Sequence, residues 1–128
     1  MILDSSALVA IVLREPETDR VLERMDAAAR VGVGAPTLVE TAIVLSARLA
    51  TDARGLVSRL LIEGNIAVVP FTDAHFGVAL TAWLRYGRGR HPAQLNYGDC
   101  LAYATARVAR EPLLFTGEEF LRTDVEVA

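Results

Sequence analysis

Lysine is absent from this chain, and all 13 of its basic residues are arginine. Arginine suits phosphate and carboxylate partners because its planar guanidinium donates two parallel hydrogen bonds, but genomic base composition explains the bias more simply. The 16 acidic residues leave a formal net charge of −3, so total charge does not indicate a nucleic-acid-binding protein. A nucleic-acid enzyme of this charge must attract its substrate locally, through a basic strip or through bound cations.

Cysteine and histidine are almost as scarce as lysine. Cys100 is the only cysteine, which excludes an intrachain disulfide. It lies in a run of small apolar residues, and a nucleophilic cysteine would need a nearby base. His75 and His91 are the only histidines and are distant in sequence. We therefore expect Cys100 to be a small buried residue, and we expect no zinc site made of thiolates or clustered histidines.

Long hydrophobic runs are missing as well. No apolar run reaches the roughly 18 residues that a membrane span needs, and no basic segment precedes the apolar start, as one would in a signal peptide. These features predict a cytoplasmic protein without a membrane partner. The 128 residues, 52% of them hydrophobic, suit a single domain over residues 1–128 with one core.

Short apolar segments alternate with amphipathic ones along the chain. Strands are expected at 1–3, 30–35, 66–70 and 113–115, with a final short strand at 124–127. Helices are expected at about 7–13, 16–29, 37–50, 52–63, 72–86 and 99–110, and a polar loop at 86–98. The alternation predicts an α/β fold, a three-layer α/β/α sandwich around a short-stranded, mainly parallel sheet.

Capping residues mark three of the expected helix starts. Ser5 or Ser6 can cap the first helix, and Pro16 suits the first turn of the second. Thr37 stands three residues before Glu40, which is the spacing of a capping box.

Acidic residues follow the predicted strands. Asp4 comes directly after the first strand, Glu40 lies in the helix after the second, and Asp99 begins a helix. Glu118 and Glu119 come soon after the fourth strand. Because sites in parallel sheets gather at the carboxyl ends of the strands, these acids are expected to converge.

Converging carboxylates repel one another unless a cation lies among them. A hard divalent ion with oxygen ligands, Mg²⁺ or Mn²⁺, fits this donor set. Such an ion can polarise a phosphate and lower the pKa of a bound water, which indicates phosphodiester hydrolysis.

Each acid also has a purely structural interpretation. Asp99 can be an N-cap, Glu40 can complete the capping box, and Glu118 with Glu119 can form a solvated turn. Asp4 is harder to explain in this way, because it ends an entirely apolar segment, where a charge is costly unless it is used.

Four stretches together resemble the PIN-domain ribonucleases, specifically the VapC-type toxins of bacterial toxin–antitoxin pairs. They are Met-Ile-Leu-Asp-Ser-Ser-Ala-Leu at 1–8, Pro-Thr-Leu-Val-Glu at 36–40, Leu-Asn-Tyr-Gly-Asp-Cys-Leu-Ala-Tyr-Ala at 95–104 and Pro-Leu-Leu-Phe-Thr-Gly-Glu-Glu-Phe at 112–120, with Arg-Thr-Asp-Val at 122–125. The third stretch is the most specific, and the resemblance spans essentially the whole chain.

The resemblance implies a role for each acid. Asp4, Glu40 and Asp99 match the metal-site acids, with Asp4 and Asp99 contacting the metal directly. Many relatives carry an Asp where this chain has Gly117, so the fourth acid is either Glu118 or Glu119. Ser6 matches a small hydroxyl residue near the site, and Asn96 lies in the third stretch. Both are candidates to hydrogen-bond to the metal ligands, and helix capping explains these two nearly as well.

The resemblance also implies partners. It predicts a homodimer that forms a hetero-oligomer with a small antitoxin, which inserts a segment with an arginine into the acidic groove. The expected substrate is structured RNA such as tRNA or ribosomal RNA. The residues predicted to contact RNA lie in or next to the polar loop and are Arg85, Arg88, Arg90 and His91. An ordinary solvated loop without a role in RNA binding is about as good an interpretation of these residues.

Two alternatives are weighed against the toxin-type ribonuclease. One is a catalytically degenerate domain of the same fold that only binds RNA or a partner. The other is a phosphatase with Asp4 as nucleophile. That chemistry usually requires a second Asp where Ser6 stands and a lysine for the phosphate, and both are missing. The sequence leaves the RNA target and the number of metal ions open.

Overall fold

Four short parallel strands form the centre of the fold in a computed structural model, which describes all 128 residues. Their order across the sheet is β3-β2-β1-β4, with every neighbouring pair parallel. Strand β1 therefore lies inside the sheet, although it is the first element of the chain. The strands are β1 Ile2–Leu3, β2 Val31–Gly34, β3 Ile66–Val69 and β4 Leu113–Leu114.

Six α-helices surround the sheet and confirm the predicted α/β sandwich. None of them is long and apolar enough to cross a membrane. They are α1 Ser5–Leu13, α2 Thr18–Ala27, α3 Ala35–Leu49, α4 Arg54–Glu63, α5 Asp73–Tyr86 and α6 Tyr97–Ala109, and a 3-10 helix follows at Glu119–Arg122.

Both faces of the sheet are buried at β1 and β4, whose neighbouring residues point to opposite faces, whereas Ala67 and Val68 of the edge strand β3 are exposed. Ile2 and Leu113 pack with α5, α6 and the buried Phe120. Leu3 and Leu114, one residue further along each strand, pack with α1 and α2. This two-sided burial explains why the strands are continuous apolar runs rather than alternating ones.

Two of the predicted caps are wrong. The N-cap of α1 is Asp4, whose side chain accepts from the backbone N–H of Ser6, so neither serine has that role. Helix α3 starts at Ala35 after the extended Gly34, and Pro36 suits its first turn because proline needs no donor there. Thr37 therefore lies inside the helix with a buried, unpartnered Oγ1, and no Thr37–Glu40 capping box forms.

Three further boundaries differ from the sequence prediction. Helix α2 starts at Thr18, so Pro16 precedes it rather than lying in its first turn. Asp99 is the third residue of α6, whose N-cap is Asn96. The final strand at 124–127 is reduced to a single parallel bridge between Leu113 and Val127, because β4 is only two residues long.

Candidate metal centre

Asp4 is held at the carboxyl end of β1 by backbone and side-chain contacts. Its backbone N–H donates to the carbonyl of Leu114 in the neighbouring strand, at 2.9 Å. Its side chain is only 4% exposed, and Oδ2 accepts from the backbone N–H and the hydroxyl of Ser6, at 3.0 and 2.6 Å. The second oxygen, Oδ1, is buried without a hydrogen-bond partner. A buried carboxylate with one free oxygen is costly unless that oxygen binds something.

Ser6 connects this carboxylate to the far end of the chain. Its hydroxyl donates to Asp4 and accepts from the backbone N–H of Thr116, at 3.2 Å. Because Thr116 follows β4, the serine holds the segment after β4 beside the end of β1. This geometry suits the predicted role of Ser6 as a residue that orients Asp4.

Asp99 forms a reciprocal pair with Asn96 at the start of α6. The backbone N–H of Asn96 donates to the Asp99 carboxylate, and the backbone N–H of Asp99 donates to the Asn96 side chain, both at 2.9 Å. Asn96 is therefore a cap and an orienting residue at once, and the two interpretations of the sequence are compatible.

The pKa values of Asp99 and Asp4 both reflect a crowded acidic group. Burial raises the pKa of Asp99 to about 6, the bond from Asn96 opposes the rise, and the charges of Asp4, Glu119 and Glu40 add to it. Burial also raises the pKa of Asp4, while the bonds from Ser6 lower it and the charge of Glu40 raises it. Charges from distant parts of the sequence are thus close enough to Asp99 and Asp4 to raise the pKa values of these two acids.

Glu40 reaches this group because Gly98 leaves room for it. Glu40 is half-buried on α3, and a Cβ added at Gly98 of α6 would overlap its carboxylate. Any larger residue at 98 would push Glu40 away from Asp99. The sequence analysis overlooked Gly98 as a site residue, although it stands directly before Asp99 in the most specific motif.

The fourth acid is best represented by Glu119. Its charge is one of the main causes of the raised pKa of Asp99, and the charge of Glu118 is not among these causes. A Cβ added at Gly117 would overlap the Glu119 carboxylate, so this side chain occupies the space that any residue at 117 would enter. Both glutamates are exposed, unlike Asp4.

An open cavity of about 330 Å³ lies beside these acids. Its lining is almost entirely polar and includes two arginines that the acids do not neutralise by ion pairing. The lining residues are Arg88, Pro92, Ala93, Gln94, Asn96, Asp99, Glu118, Glu119 and Arg122.

The donor set fits a hard divalent cation. All candidate ligands are carboxylate oxygens, and one of them, Asp4 Oδ1, is buried and unpartnered. As the side chains stand, no three of them are close enough together to hold an ion. For the carboxylates to bind one ion together, the side chains of Glu40 and Glu119, which are longer and less buried than that of Asp4, would have to rotate toward the aspartates.

The predicted RNA-contacting residues make different contacts, and one of the four lines the cavity beside the acids. Arg85 pairs with Asp124 at 3.5 Å and lies over the Tyr86 ring. Arg90 lies over Trp83, with its guanidinium carbon 4.4 Å from the ring centre. Only Arg88 shares the cavity with the acids.

His91 is likewise occupied within its own loop. Its Nδ1 accepts from the backbone N–H of Ala93 at 3.1 Å, and its ring packs edge-on against Tyr86. Contact of these loop residues with RNA stays a prediction.

Cys100 is a buried free thiol, as expected. Burial, with a smaller effect of the Asp99 charge, raises its pKa to about 11. The reactive thiolate is therefore disfavoured at neutral pH, and Cys100 contributes packing rather than chemistry.

Comparison with known proteins places this arrangement in a family. Residues 1–126 match the PIN domain. The chain is 44% identical over 127 residues to Ribonuclease VapC36 of Mycobacterium tuberculosis, covering 98% of this chain and 91% of that protein. It is 41% identical over 126 residues to Ribonuclease VapC of Mycolicibacterium smegmatis, covering 98% and 97%.

Solved structures agree on the fold. A toxin–antitoxin complex from Klebsiella pneumoniae superposes with a TM-score of 0.72 at 15% identity, covering 99% of this chain and 95% of that one. FitAcB from Neisseria gonorrhoeae gives a TM-score of 0.66 at 19% identity, covering 98% and 94%. With the family match over nearly every residue, the chain belongs to the PIN-domain family and, within it, to the VapC proteins.

Proposed function

We propose that this chain is a divalent-metal-dependent endoribonuclease that acts as the toxin of a type II toxin–antitoxin pair. Its curated relatives are named ribonucleases, and one structural neighbour is titled a toxin–antitoxin complex. The observation that carries the proposal is the Asp4 carboxylate, buried with one unpartnered oxygen, in a group of acids whose charges raise the pKa of Asp4 and Asp99.

Asp4 and Asp99 would hold Mg²⁺ or Mn²⁺, with Glu40 and Glu119 completing the oxygen ligands directly or through water. A bound divalent ion supplies a polarised phosphoryl oxygen and a water of lowered pKa. The remaining work belongs to the protein. Ser6 and Asn96 orient the two aspartates, and Glu40 stands beside them as the acceptor of a proton from the attacking water.

Glu119 rather than Glu118 would complete the centre. The support is its effect on Asp99 and its position over Gly117, described above. The Glu119 side chain is longer than that of an aspartate. From two residues further along the chain it would reach the place that an aspartate at 117 would reach directly. The degenerate-domain alternative gains from the same departure, because a badly placed fourth acid would leave binding without cleavage.

A cleavage assay tests the proposal. Labelled tRNA and ribosomal RNA are incubated with the protein in Mg²⁺, in Mn²⁺ and in EDTA. We expect cleavage with either metal, none with EDTA, and none by Asp4→Asn. Asp26→Asn is the matched control, because Asp26 is an exposed acid of α2 outside the centre. Equal cleavage by the parent and Asp4→Asn would contradict the mechanism, and RNA binding without any cleavage would favour the degenerate domain.

The antitoxin would be a small protein that places an arginine among these carboxylates. A guanidinium fits because it can pair with two carboxylate oxygens where a divalent ion would otherwise bind. We expect expression of the chain to arrest growth, Asp99→Asn to relieve the arrest, and a neighbouring small protein to do the same. If the Asp99→Asn variant still arrested growth, toxicity would not depend on the acidic centre.

A second copy of the chain would cover an apolar face next to the centre. Helix α5 exposes Phe76, Leu80, Trp83 and Leu84, and α6 begins with Tyr97, which is 79% exposed. The cavity between these helices is lined only by hydrophobic residues. Large exposed apolar patches mark interaction surfaces, so we propose a homodimer through this face. Sedimentation should give a dimer for the parent and a monomer for Phe76→Glu, and a dimer of both would place the interface elsewhere.

A further inference from the structure

Two arginines line the cavity that is also lined by Asp99, Glu118 and Glu119. Arg88 comes from the loop after α5, and Arg122 ends the 3-10 helix after β4. Neither forms an ion pair with Glu118 or Glu119, although all four residues line the same cavity. The ion pairs of the chain lie elsewhere, so both guanidiniums keep their donors available.

Most other arginines are already engaged. Four form ion pairs, two donate to backbone carbonyls, and Arg90 lies over Trp83. The six without such contacts are Arg14, Arg24, Arg48, Arg88, Arg110 and Arg122. Among these six, only Arg88 and Arg122 line the acidic cavity.

The backbone that carries each of the two arginines is well anchored. The N–H of Arg88 donates to the carbonyl of Leu95 at 3.0 Å, next to the bridge between Gly87 and Leu95 that closes the loop. Arg122 follows Phe120, which is 2% exposed and packs against Phe115 with ring centres 5.0 Å apart. With the backbone already fixed, binding of a ligand costs only the conformational entropy of the arginine side chains and not that of the segments that carry them.

We infer that Arg88 and Arg122 form a phosphate-binding pair, which holds RNA backbone phosphates next to the one that is hydrolysed. The inference rests on the proposed function for its substrate. Three carboxylates and two guanidiniums line the cavity, so the arginines offset most of the negative charge that would repel RNA. Guanidinium suits this role because it donates two parallel hydrogen bonds to a phosphate. Such contacts position the RNA without reading its sequence.

Kinetics and binding of the purified protein test the pair. In Mg²⁺, Arg88→Ala and Arg122→Ala should each raise KM about tenfold and leave kcat within about threefold, as expected for positioning contacts. Binding of a fluorescein-labelled single-stranded RNA is measured in the Asp4→Asn background, which does not cleave. There, each change should reduce the salt dependence of log K by about 0.7, the value for one lost phosphate contact.

Arg24→Ala and Arg48→Ala are the matched controls, because both residues are exposed, unpaired arginines on helices outside the cavity. They should leave KM and the salt dependence unchanged. Equal effects of all four changes would reduce the pair to general electrostatic attraction and overturn the inference. Unchanged KM and salt dependence for Arg88→Ala and Arg122→Ala would overturn it too, whatever these variants do to a protein partner. Failure of the parent to cleave any RNA would instead contradict the proposed function.

Discussion

Asp4 and Glu119 are two members of the same acidic group, and the fold holds them in different ways. We refer to their positions as the Asp4 corner and the Glu119 corner of the centre. Asp4 ends a strand inside the sheet, is almost fully buried, and is fixed by Leu114 and Ser6. Glu119 starts a short 3-10 helix and is exposed, and its carboxylate accepts no hydrogen bond from another residue.

The difference separates the part of the centre that is built into the core from the part that is not. The acid at position 4 cannot be shifted by one position in the sequence, because a side chain one step along the strand points to the other face of the sheet. The segment 116–119 is a surface turn, where an acid two positions further along can reach the same place. This contrast explains how the chain can carry Gly117 where the resemblance described above leads one to expect an aspartate.

The largest expected effect comes from comparing the two corners directly. Asp4→Asn should lower the single-turnover rate of RNA cleavage by about a thousandfold, the scale of losing an essential charge. Glu119→Gln should lower it by about tenfold to a hundredfold, the scale of an outer ligand. Mn²⁺ affinity by calorimetry should follow the same order. Equal losses at the two corners would remove the distinction between them.

Gly117→Asp sharpens the comparison by moving the fourth acid. In a Glu119→Ala background, where that space is empty, Gly117→Asp should restore about tenfold in rate and in Mn²⁺ affinity, because the aspartate would enter the space that the Glu119 side chain fills in the parent. Glu118→Gln should have little effect in either background. Rescue that appeared with Gly117→Asn as well would show that charge at this corner is unimportant.

Ser6→Ala tests how far the rigidity of the Asp4 corner depends on one hydroxyl. Loss of its bonds to Asp4 and Thr116 should slow cleavage by about tenfold. The control is Ser58→Ala, at an exposed serine of α4. A Ser6→Ala protein with unchanged rate would show that the strand alone orients Asp4.

The smallest effect is expected in stability. The folded pKa of Asp99 is about 6 against an ordinary 3.8, so its protonated form favours folding. This contribution is complete below pH 3.8 and is lost as pH rises to about 6. Asp99→Asn should therefore raise the free energy of unfolding by about 2 kcal/mol at pH 7 without metal, and by much less at pH 4.

Urea unfolding at both pH values measures this difference. Saturating Mg²⁺ should reverse its sign, because the ion stabilises only the parent. A stability gain that is independent of pH would assign it to helix capping rather than to charge.

The sheet and the helices were predictable from the sequence, because each apolar segment has the length and spacing of its element. Caps were less predictable. Thr37 and Glu40 have the spacing of a capping box, but Gly34 and Pro36 let the helix begin earlier. Such competition between neighbouring start signals is decided by the backbone of the preceding strand rather than by the motif.

The acids of the centre were predictable individually, since each follows a strand or lies near the start of a helix. Their spacing was not, because it depends on contacts between distant residues. Gly98 makes room for Glu40, and Gly117 makes room for Glu119. The contacts of the basic loop were unpredictable for a similar reason: Asp124 pairs with Arg85 across the fold, Trp83 lies under Arg90, and Arg122, which lines the same cavity as Arg88, lies in another segment.

The position of β1 between β2 and β4 has a consequence during synthesis. Asp4 is synthesised 110 residues before Leu114, which holds it, and Ser6 is synthesised 110 residues before Thr116. A nascent chain lacking residues beyond 112 exposes one edge of β1 and has no fixed Asp4 corner. Pairing over such a separation is late and slow in folding. The Asp4 part of the centre is therefore expected to reach its final geometry only after residues 114–116 have been made.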